Sequence, residues 1–213
     1  MAATVCPSVT ATTPDEYRAQ LERVTGFAGR IHLDVADGKF TPRPLIDLDK
    51  IWWPANVAAD LHIMYQRPFE HVELIKTLHP QLVIVHAEAD GDFISFATEL
   101  HNHGMQAGVA LLPETPAEVL KGALDYVDHV LIFSGTLGQF GGTADLTLLD
   151  KARRIREYKP TVEIGWDGGV SEHNIGQLVQ AGVDVLNVGG HIHQAPDPRE
   201  SYNTLKTLAE QRS

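Results

Sequence analysis

Two histidines and two aspartates stand in short apolar runs, where buried side chains are normally apolar. His32 and Asp34 share one run, His62 lies in the next, and Asp167 ends a run nearer the C-terminus. Side chains alternate between the two faces of a strand, so His32 and Asp34 would point the same way. Burying two imidazoles and two carboxylates together is costly unless a cation balances the charge. The set therefore predicts a site for one divalent metal ion.

The ligand types narrow the choice of metal without fixing it. Imidazole and carboxylate favour zinc, iron(II), manganese or cobalt over calcium and magnesium. We expect His62 to donate its second N–H to a further acceptor, which the sequence does not identify. His86, beside Glu88, is a candidate for a group behind the metal, with a core role as an equal alternative. Taken singly, each residue is better explained as a core histidine or a turn aspartate. The combination favours a site.

Glycines follow the last three predicted strands. They are Gly138, Gly141 and Gly142 after the sixth strand, Gly168 and Gly169 after the seventh, and Gly189 and Gly190 after the eighth. Glycine permits close approach to the backbone, whose N–H groups bind phosphate without a charged side chain. A phosphorylated substrate would need such a site here, because the formal net charge of the chain is -11. Three adjacent glycine clusters therefore favour phosphate binding over ordinary turns.

Short apolar runs alternate with amphipathic segments along the chain, which indicates parallel strands joined by crossover helices. The predicted strands are 4–6, 30–35, 58–63, 82–86, 106–111, 129–133, 161–166 and 183–188. The predicted helices are 15–24, 69–78, 92–103, 116–123, 146–158, 172–181 and 198–211. The crossover at 47–53 is the weakest, because Pro54 would end it.

Eight such units predict an α/β fold, a single (β/α)8 TIM barrel over residues 1–213. A doubly wound open sheet is the alternative, but it asks for a glycine-rich turn after the first strand. The turn expected there, at 7–10, reads Pro-Ser-Val-Thr. The C-terminal ends of barrel strands form the active-site rim, which would bring the polar strand ends together.

Composition excludes several classes of protein. The acidic charge disfavours a nucleic-acid partner. No apolar stretch approaches the roughly 20 residues of a membrane helix. A lone cysteine, Cys6, and the lack of a secretory signal predict a cytoplasmic protein. We expect a homo-oligomer; Trp52 and Trp53 are candidates for the subunit contact or, equally, for core packing.

Several segments also follow, in order, the pattern of one enzyme family. They are His32-Leu33-Asp34-Val35-Ala36-Asp37-Gly38-Lys39-Phe40, Asp60-Leu61-His62-Ile63-Met64, Val85-His86-Ala87-Glu88-Ala89, Ala107-Gly108-Val109-Ala110-Leu111, Phe140-Gly141-Gly142 and Asp167-Gly168-Gly169-Val170. From about Val5 to Gly190 the chain resembles ribulose-phosphate 3-epimerase, an enzyme of the ribulose-phosphate-binding barrel type.

The resemblance implies an isomerase of the pentose phosphate pathway that inverts C3 of a ketose phosphate, interconverting ribulose 5-phosphate and xylulose 5-phosphate. It implies Asp34 and Asp167 as the acid/base pair, acting through a metal-stabilised enediolate. The implied metal ligands are His32, Asp34, His62 and Asp167. Substrate would contact Ser8, His62 and Met64, and phosphate would contact Gly141, Gly142, Gly168, Gly169, Gly189 and Gly190.

The chain departs from the family pattern near the substrate. Ala36 replaces a methionine, Arg43 an asparagine and Gly190 a small hydroxyl residue, and the loop 135–143 is one residue longer than usual. A ketohexose-phosphate 3-epimerase of the allulose 6-phosphate type is therefore an alternative, as is a non-catalytic sugar-phosphate-binding barrel. Decarboxylating barrels with an Asp-x-Lys-x-x-Asp motif are disfavoured, because residues 34–37 contain no lysine.

Overall fold

The computed structural model describes residues 2–138 and 141–211, and its sheet is a closed barrel of eight parallel strands in chain order. This confirms the predicted fold class. The strands are β1 Thr4–Thr10, β2 Arg30–Ala36, β3 Ala58–Met64, β4 Leu82–His86, β5 Gln106–Leu111, β6 His129–Phe133, β7 Glu163–Asp167 and β8 Val185–Val188.

The first strand is longer than the sequence suggested. The expected turn at 7–10 is wrong, because β1 continues through Pro7 to Thr10. Its first half, up to Pro7, pairs with β8, and its second half, from Ser8, pairs with β2. Proline lacks the N–H of an interior strand residue, and here it stands at the end of one pairing segment, where that loss is tolerated.

Seven α-helices occur in the described part of the chain. They are α1 Pro14–Thr25, α2 Val72–Leu78, α3 Phe93–Asn102, α4 Leu149–Tyr158, α5 Ile175–Gln180, α6 Gly190–His193 and α7 Pro198–Glu210. Two crossovers are shorter or tighter than expected. Only Leu48–Lys50 of the segment 47–53 is helical, as a 3-10 turn, and the predicted helix 116–123 is a 3-10 segment, Ala117–Gly122.

Alternation along the strands separates two buried regions. Residues that face outward, such as Val9 and Trp166, join the large apolar layer between barrel and helices. Inside the barrel, Leu82, Ile84, Ala110 and Leu131 form a separate apolar cluster.

Charged side chains lie at the N-terminal ends of the strands. The Arg30 guanidinium binds the carboxylates of Asp60 and Glu163, and His129 contacts Glu163. Gly165 is required beside them, because a Cβ there would lie 2.4 Å from His129 Nε2. This end of the barrel is therefore closed by a packed ionic cluster.

Surface features are consistent with a compact barrel. Within residues 2–138 and 141–211, no helix has the length and apolar character needed to span a bilayer. The two neighbouring tryptophans differ: Trp52 is 45% exposed, whereas Trp53 packs partly against the core. The role of Trp52 in a subunit contact stays a prediction.

Candidate active site

The four predicted metal ligands come together at the C-terminal ends of β2, β3 and β7. One ligand atom from each of His32, Asp34, His62 and Asp167 lies within 4.8 Å of the others. Asp34 Oδ1 is 2.9 Å from His62 Nδ1 and 3.3 Å from His32 Nε2. Asp167 Oδ2 is 3.9 Å from His32 Nε2 and 4.0 Å from His62 Nδ1.

The surroundings of His32 fit a metal ligand. Its side chain is fully buried, and within the described residues neither ring nitrogen has a hydrogen-bond partner. A buried imidazole with no partner loses the hydrogen bonds it makes in water. Together with one more imidazole and two carboxylates, this donor set suits zinc, iron(II), manganese or cobalt.

The two carboxylates of the site have opposite electrostatic environments. Burial, reinforced by the nearby charge of Asp34, raises the pKa of Asp167 to about 7. Burial would also raise the pKa of Asp34, but the adjacent imidazoles of His32 and His62 outweigh it and hold that pKa below its usual range. Burial lowers the pKa of His62 to about 4. Near neutral pH, His62 is therefore a neutral imidazole that can offer a lone pair.

A threonine that the sequence analysis missed holds the second oxygen of Asp34. Thr10 Oγ1 donates to Asp34 Oδ2 at 2.6 Å, while Oδ1 faces the histidines. The carboxylate thus has one oxygen on the cluster and one on the cavity side. Thr10 was missed because the first strand was expected to end before Pro7. If the alternation of the first strand had been continued through Pro7, it would have predicted that the side chains of Ser8 and Thr10 both face the cavity.

The structure identifies the partner of the second nitrogen of His62. Its Nε2 lies 2.9 Å from Nε2 of His86, which is buried, and His86 Nδ1 lies 3.5 Å from Glu88 Oε2. Two facing ring nitrogens share one proton. If the Nδ1 lone pair of His62 binds a metal, Nε2 donates to His86, and the proton of His86 then faces Glu88.

Glu88 is fixed in turn by groups on the neighbouring strand end. Its Oε1 accepts hydrogen bonds from the backbone N–H of Leu112 at 3.2 Å and from the hydroxyl of Thr115. Of the two roles considered for His86, contact with the ligand cluster is therefore the one observed.

A cavity of about 710 Å³ lies above the cluster. Asp34 and Asp167 line it, as do Ser8 and Met64. The predicted phosphate glycines also line it: Gly141, Gly142, Gly168, Gly169, Gly189 and Gly190. Gln139 and Phe140, which belong to the same predicted loop, lie outside the described residues.

Gly168 and Gly169 are needed for loop packing. Both have positive φ, and a Cβ on Gly168 would lie 2.4 Å from Gly135 N, while one on Gly169 would lie 2.1 Å from Ala144 N. The loop after β6 therefore crosses directly over the end of β7. By contrast, a Cβ on Gly141 or Gly142 would meet nothing within 4 Å.

Asn187 is a second residue that the sequence analysis missed. It lies in β8, is only 2% exposed and lines the cavity. The apolar run 183–188 hid it, although the period-two alternation places it on the same face as Val185.

Comparison with known proteins gives a consistent family. Residues 4–193 match the model of the "Ribulose-phosphate 3 epimerase family". The chain is 32% identical over 213 residues to the ribulose-phosphate 3-epimerase of Helicobacter pylori, covering 96% of this chain and 97% of that protein. It is 30% identical over 192 residues to the enzyme of the same name from Aquifex aeolicus, covering 87% and 86%.

Solved structures support the fold alone. KGPDC from Streptococcus mutans superposes with a TM-score of 0.75 at 10% identity, over 99% of both chains. The 3-hexulose-6-phosphate synthase from Salmonella typhimurium gives a TM-score of 0.71 at 15% identity, over 100% of both chains.

Proposed function

The chain belongs to the ribulose-phosphate 3-epimerase family and is an isomerase-type enzyme, and we propose that it interconverts D-ribulose 5-phosphate and D-xylulose 5-phosphate by inverting C3. One observation carries this proposal. The carboxylates of Asp34 and Asp167 reach the same cavity from β2 and β7, with His32 and His62 beside them.

The proton transfers follow from the two carboxylates. Epimerisation needs one base to remove the C3 proton and one acid to deliver a proton to the opposite face. Without a bound metal, burial and the charge of Asp34 raise the pKa of Asp167 to about 7, while the imidazoles of His32 and His62 hold the pKa of Asp34 low, so the two carboxylates differ in proton affinity. The two residues exchange roles in the reverse reaction.

One divalent ion completes the proposal. His32 Nε2, Asp34 Oδ1, His62 Nδ1 and Asp167 Oδ2 would hold it. A bound zinc, iron(II), manganese or cobalt ion would supply Lewis acidity that stabilises negative charge developing on the substrate oxygens. Thr10 keeps the second Asp34 oxygen directed to the cavity, and the contact with His86 fixes the tautomer of His62.

The rest of the cavity would bind the substrate. Ser8 and Met64 lie at its floor, and both are buried. We assign the phosphate to the loops after β6, β7 and β8, whose backbone N–H groups would bind it. The glycines of these loops line the cavity: Gly141, Gly142, Gly168, Gly169, Gly189 and Gly190. This uncharged site suits a protein of net charge -11.

The proposal extends to the setting of the enzyme. We infer one barrel domain over residues 1–213, in the cytoplasm and in the pentose phosphate pathway, acting on a small-molecule sugar phosphate and not on nucleic acid. The buried free thiol of Cys6 and the acidic charge support these points. We also infer a homo-oligomer, with the exposed Trp52 at its contact.

A hexulose phosphate is the second candidate substrate. The departures from the family pattern at Ala36, Arg43 and Gly190 motivate an allulose 6-phosphate type of substrate as the alternative, with the same acid/base chemistry.

The test is an epimerisation assay on the purified protein with measured metal content. We expect turnover of D-ribulose 5-phosphate that disappears on chelation and returns when Zn²⁺, Mn²⁺, Co²⁺ or, without oxygen, Fe²⁺ is added. Faster turnover of D-allulose 6-phosphate would identify a hexulose phosphate as the preferred substrate. Full metal occupancy without turnover of either ketose phosphate would indicate a binding protein and would overturn the proposal. Activity in the absence of metal would also overturn it.

A further inference from the structure

Two buried polar side chains at the cavity have no partner in the protein. The amide of Asn187 and the hydroxyl of Ser8 are 2% and 3% exposed, respectively. Across residues 2–138 and 141–211, neither Oδ1 nor Nδ2 of Asn187 forms a hydrogen bond, and the same holds for Ser8 Oγ. Both residues line the cavity above the ligand cluster.

Strand pairing makes these two residues neighbours of the predicted metal-ligand cluster. Asn187 stands opposite Asp167 on one side and opposite Cys6 on the other. Ser8 is two residues beyond Cys6 on the same face of β1, and it stands opposite His32. Asn187 and Ser8 therefore continue the ring of polar groups from Asp167 across β8 and β1 towards His32.

An asparagine at this position serves no structural purpose that an aliphatic residue would not serve better. Val185 lies two residues earlier on the same face of β8 and is fully buried. Asparagine is disfavoured in strands, and a buried amide without partners gives up hydrogen bonds to water. A polar group retained at such a cost is expected to have a ligand.

We propose that Asn187 binds a hydroxyl pair of the sugar chain on the Asp167 side of the cavity, next to the substrate contact already expected at Ser8. The amide can donate from Nδ2 to one hydroxyl or carbonyl oxygen while Oδ1 accepts from a neighbouring hydroxyl, and Ser8 can add one more hydrogen bond. The ligand class is a polyhydroxylated phosphate ester. This inference rests on the proposed function, and it adds a determinant of substrate affinity outside the acid/base pair.

The consequence for selectivity follows from the unpaired groups. A site built to bind a hydroxyl rejects analogues that lack it, because the protein groups are then left buried and unpaired. Asn187 therefore makes the cavity selective for a ketose phosphate over a deoxy analogue.

The test compares Asn187→Val with wild type, with Asn187→Ala as a second variant that cannot clash. We expect kcat/KM for D-ribulose 5-phosphate to fall about 10- to 100-fold in both variants. The inhibition constant of inorganic phosphate is expected to stay unchanged. Without ligand, Asn187→Val is expected to melt about 2 to 8 °C higher than wild type, because a buried unpaired amide is removed.

A binding role for Asn187 predicts that the melting temperature rises while kcat/KM falls. A packing role predicts that both fall. The control is Asn203→Val, on the exposed face of α7, which is expected to change neither quantity. Unchanged kcat/KM in both Asn187 variants, or equal losses of stability and activity, would overturn the inference. A wild-type protein that epimerises neither ketose phosphate would instead overturn the proposed function, and the rise in melting temperature is measured independently of it.

Discussion

The two ends of the barrel interior each contain a cluster of charged and imidazole side chains, and within the described residues only one cluster pairs its carboxylates with an arginine. At the N-terminal ends of the strands, the Nε–H of Arg30 is shared between both carboxylate oxygens of Asp60, and its two terminal nitrogens donate to Glu163, at 2.8 to 3.0 Å. At the C-terminal ends, the ion pairs of Asp34 and Asp167 within the described residues involve only histidines.

This difference separates a structural cluster from a functional one. The lower cluster carries its own cation in Arg30, so its carboxylates need nothing from outside the protein. The upper cluster places two carboxylates around His62, which is neutral near pH 7, and leaves His32 without a hydrogen bond. Substitutions in the upper cluster should therefore affect activity and metal binding, whereas substitutions in the lower cluster should affect stability.

The largest expected effect is on turnover, in Asp34→Asn and Asp167→Asn. Each variant removes one of the two proton-transfer groups, so we expect kcat to fall by about 10²- to 10⁴-fold. Thermal denaturation without metal should show that both variants are folded. Asp167→Asn should be at least as stable as wild type, because the raised pKa of Asp167 means that its charge is unfavourable there. Asp125→Asn, at an exposed position, is the control. Substantial activity in either site variant would count against the acid/base assignment.

The second effect concerns stability, in Arg30→Met. Removing the guanidinium leaves Asp60 buried and unpaired, so we expect the free energy of unfolding to fall by about 3–5 kcal/mol in urea titrations. The kcat/KM of the folded variant should stay within about twofold of wild type. Arg67→Met breaks an exposed pair with Glu70 and should cost at most about 1 kcal/mol. If folded Arg30→Met were inactive, the division between the two clusters would be wrong.

A third effect tests the contacts behind the metal ligands. Glu88→Gln removes the carboxylate that His86 faces, so it weakens the preference of His62 for the tautomer that binds metal. We expect Zn²⁺ or Co²⁺ affinity, measured by competition with a chelating dye, to fall about 10- to 100-fold. Glu99→Gln, whose carboxylate pairs with Lys76, should bind metal like wild type. Equal metal affinities of wild type, Glu88→Gln and Glu99→Gln would indicate that His86 and Glu88 contribute only to packing.

The smallest effect is the pH dependence of the lower cluster. Burial works against ionisation of Glu163, but Arg30 and His129 outweigh it and hold the pKa of Glu163 below its usual range. A depressed pKa contributes stability above the unfolded pKa, and this contribution is lost as pH falls through the folded value. Because the side chain is 34% exposed, solvent screening limits this to about 1 kcal/mol.

The measurement is urea unfolding of wild type and Glu163→Gln from about pH 7 to about pH 3. The difference in free energy of unfolding between the two proteins should be present at about pH 7 and should shrink below about pH 4.5. Glu157→Gln, at an exposed position of α4, should show no gap at any pH. A gap for Glu163→Gln that does not change with pH would contradict the assignment.

Sequence reasoning worked best where side-chain type and strand period agree. The strands at 82–86, 106–111 and 129–133 were predicted with their observed bounds, because each is a short and mainly apolar segment. The predicted metal ligands were recognised because histidine and aspartate are rare inside such runs. The structure brings them within 4.8 Å, and metal binding itself stays a prediction.

What the sequence did not reveal depends on contacts between distant segments. The contact of His62 with His86 joins residues on different strands, and it follows from the register of β3 and β4 in a closed barrel. Asn187 was not recognised because it lies in an apolar run. The sequence does not show that this face of β8 lines the cavity. Thr10 was missed because Pro7 was expected to end the first strand. The sequence does not show that the two halves of β1 pair with different strands.

The divided pairing of β1 has a consequence for biosynthesis. One half of this strand can join β2 early, but the other half has no neighbour until β8 emerges from the ribosome near the end of translation. Closure of the ring, and with it the meeting of Ser8 and Asn187, therefore cannot precede the synthesis of β8. A nascent or truncated chain would carry β2 and β3 with their histidines, but it would have no enclosed cavity in which to use them.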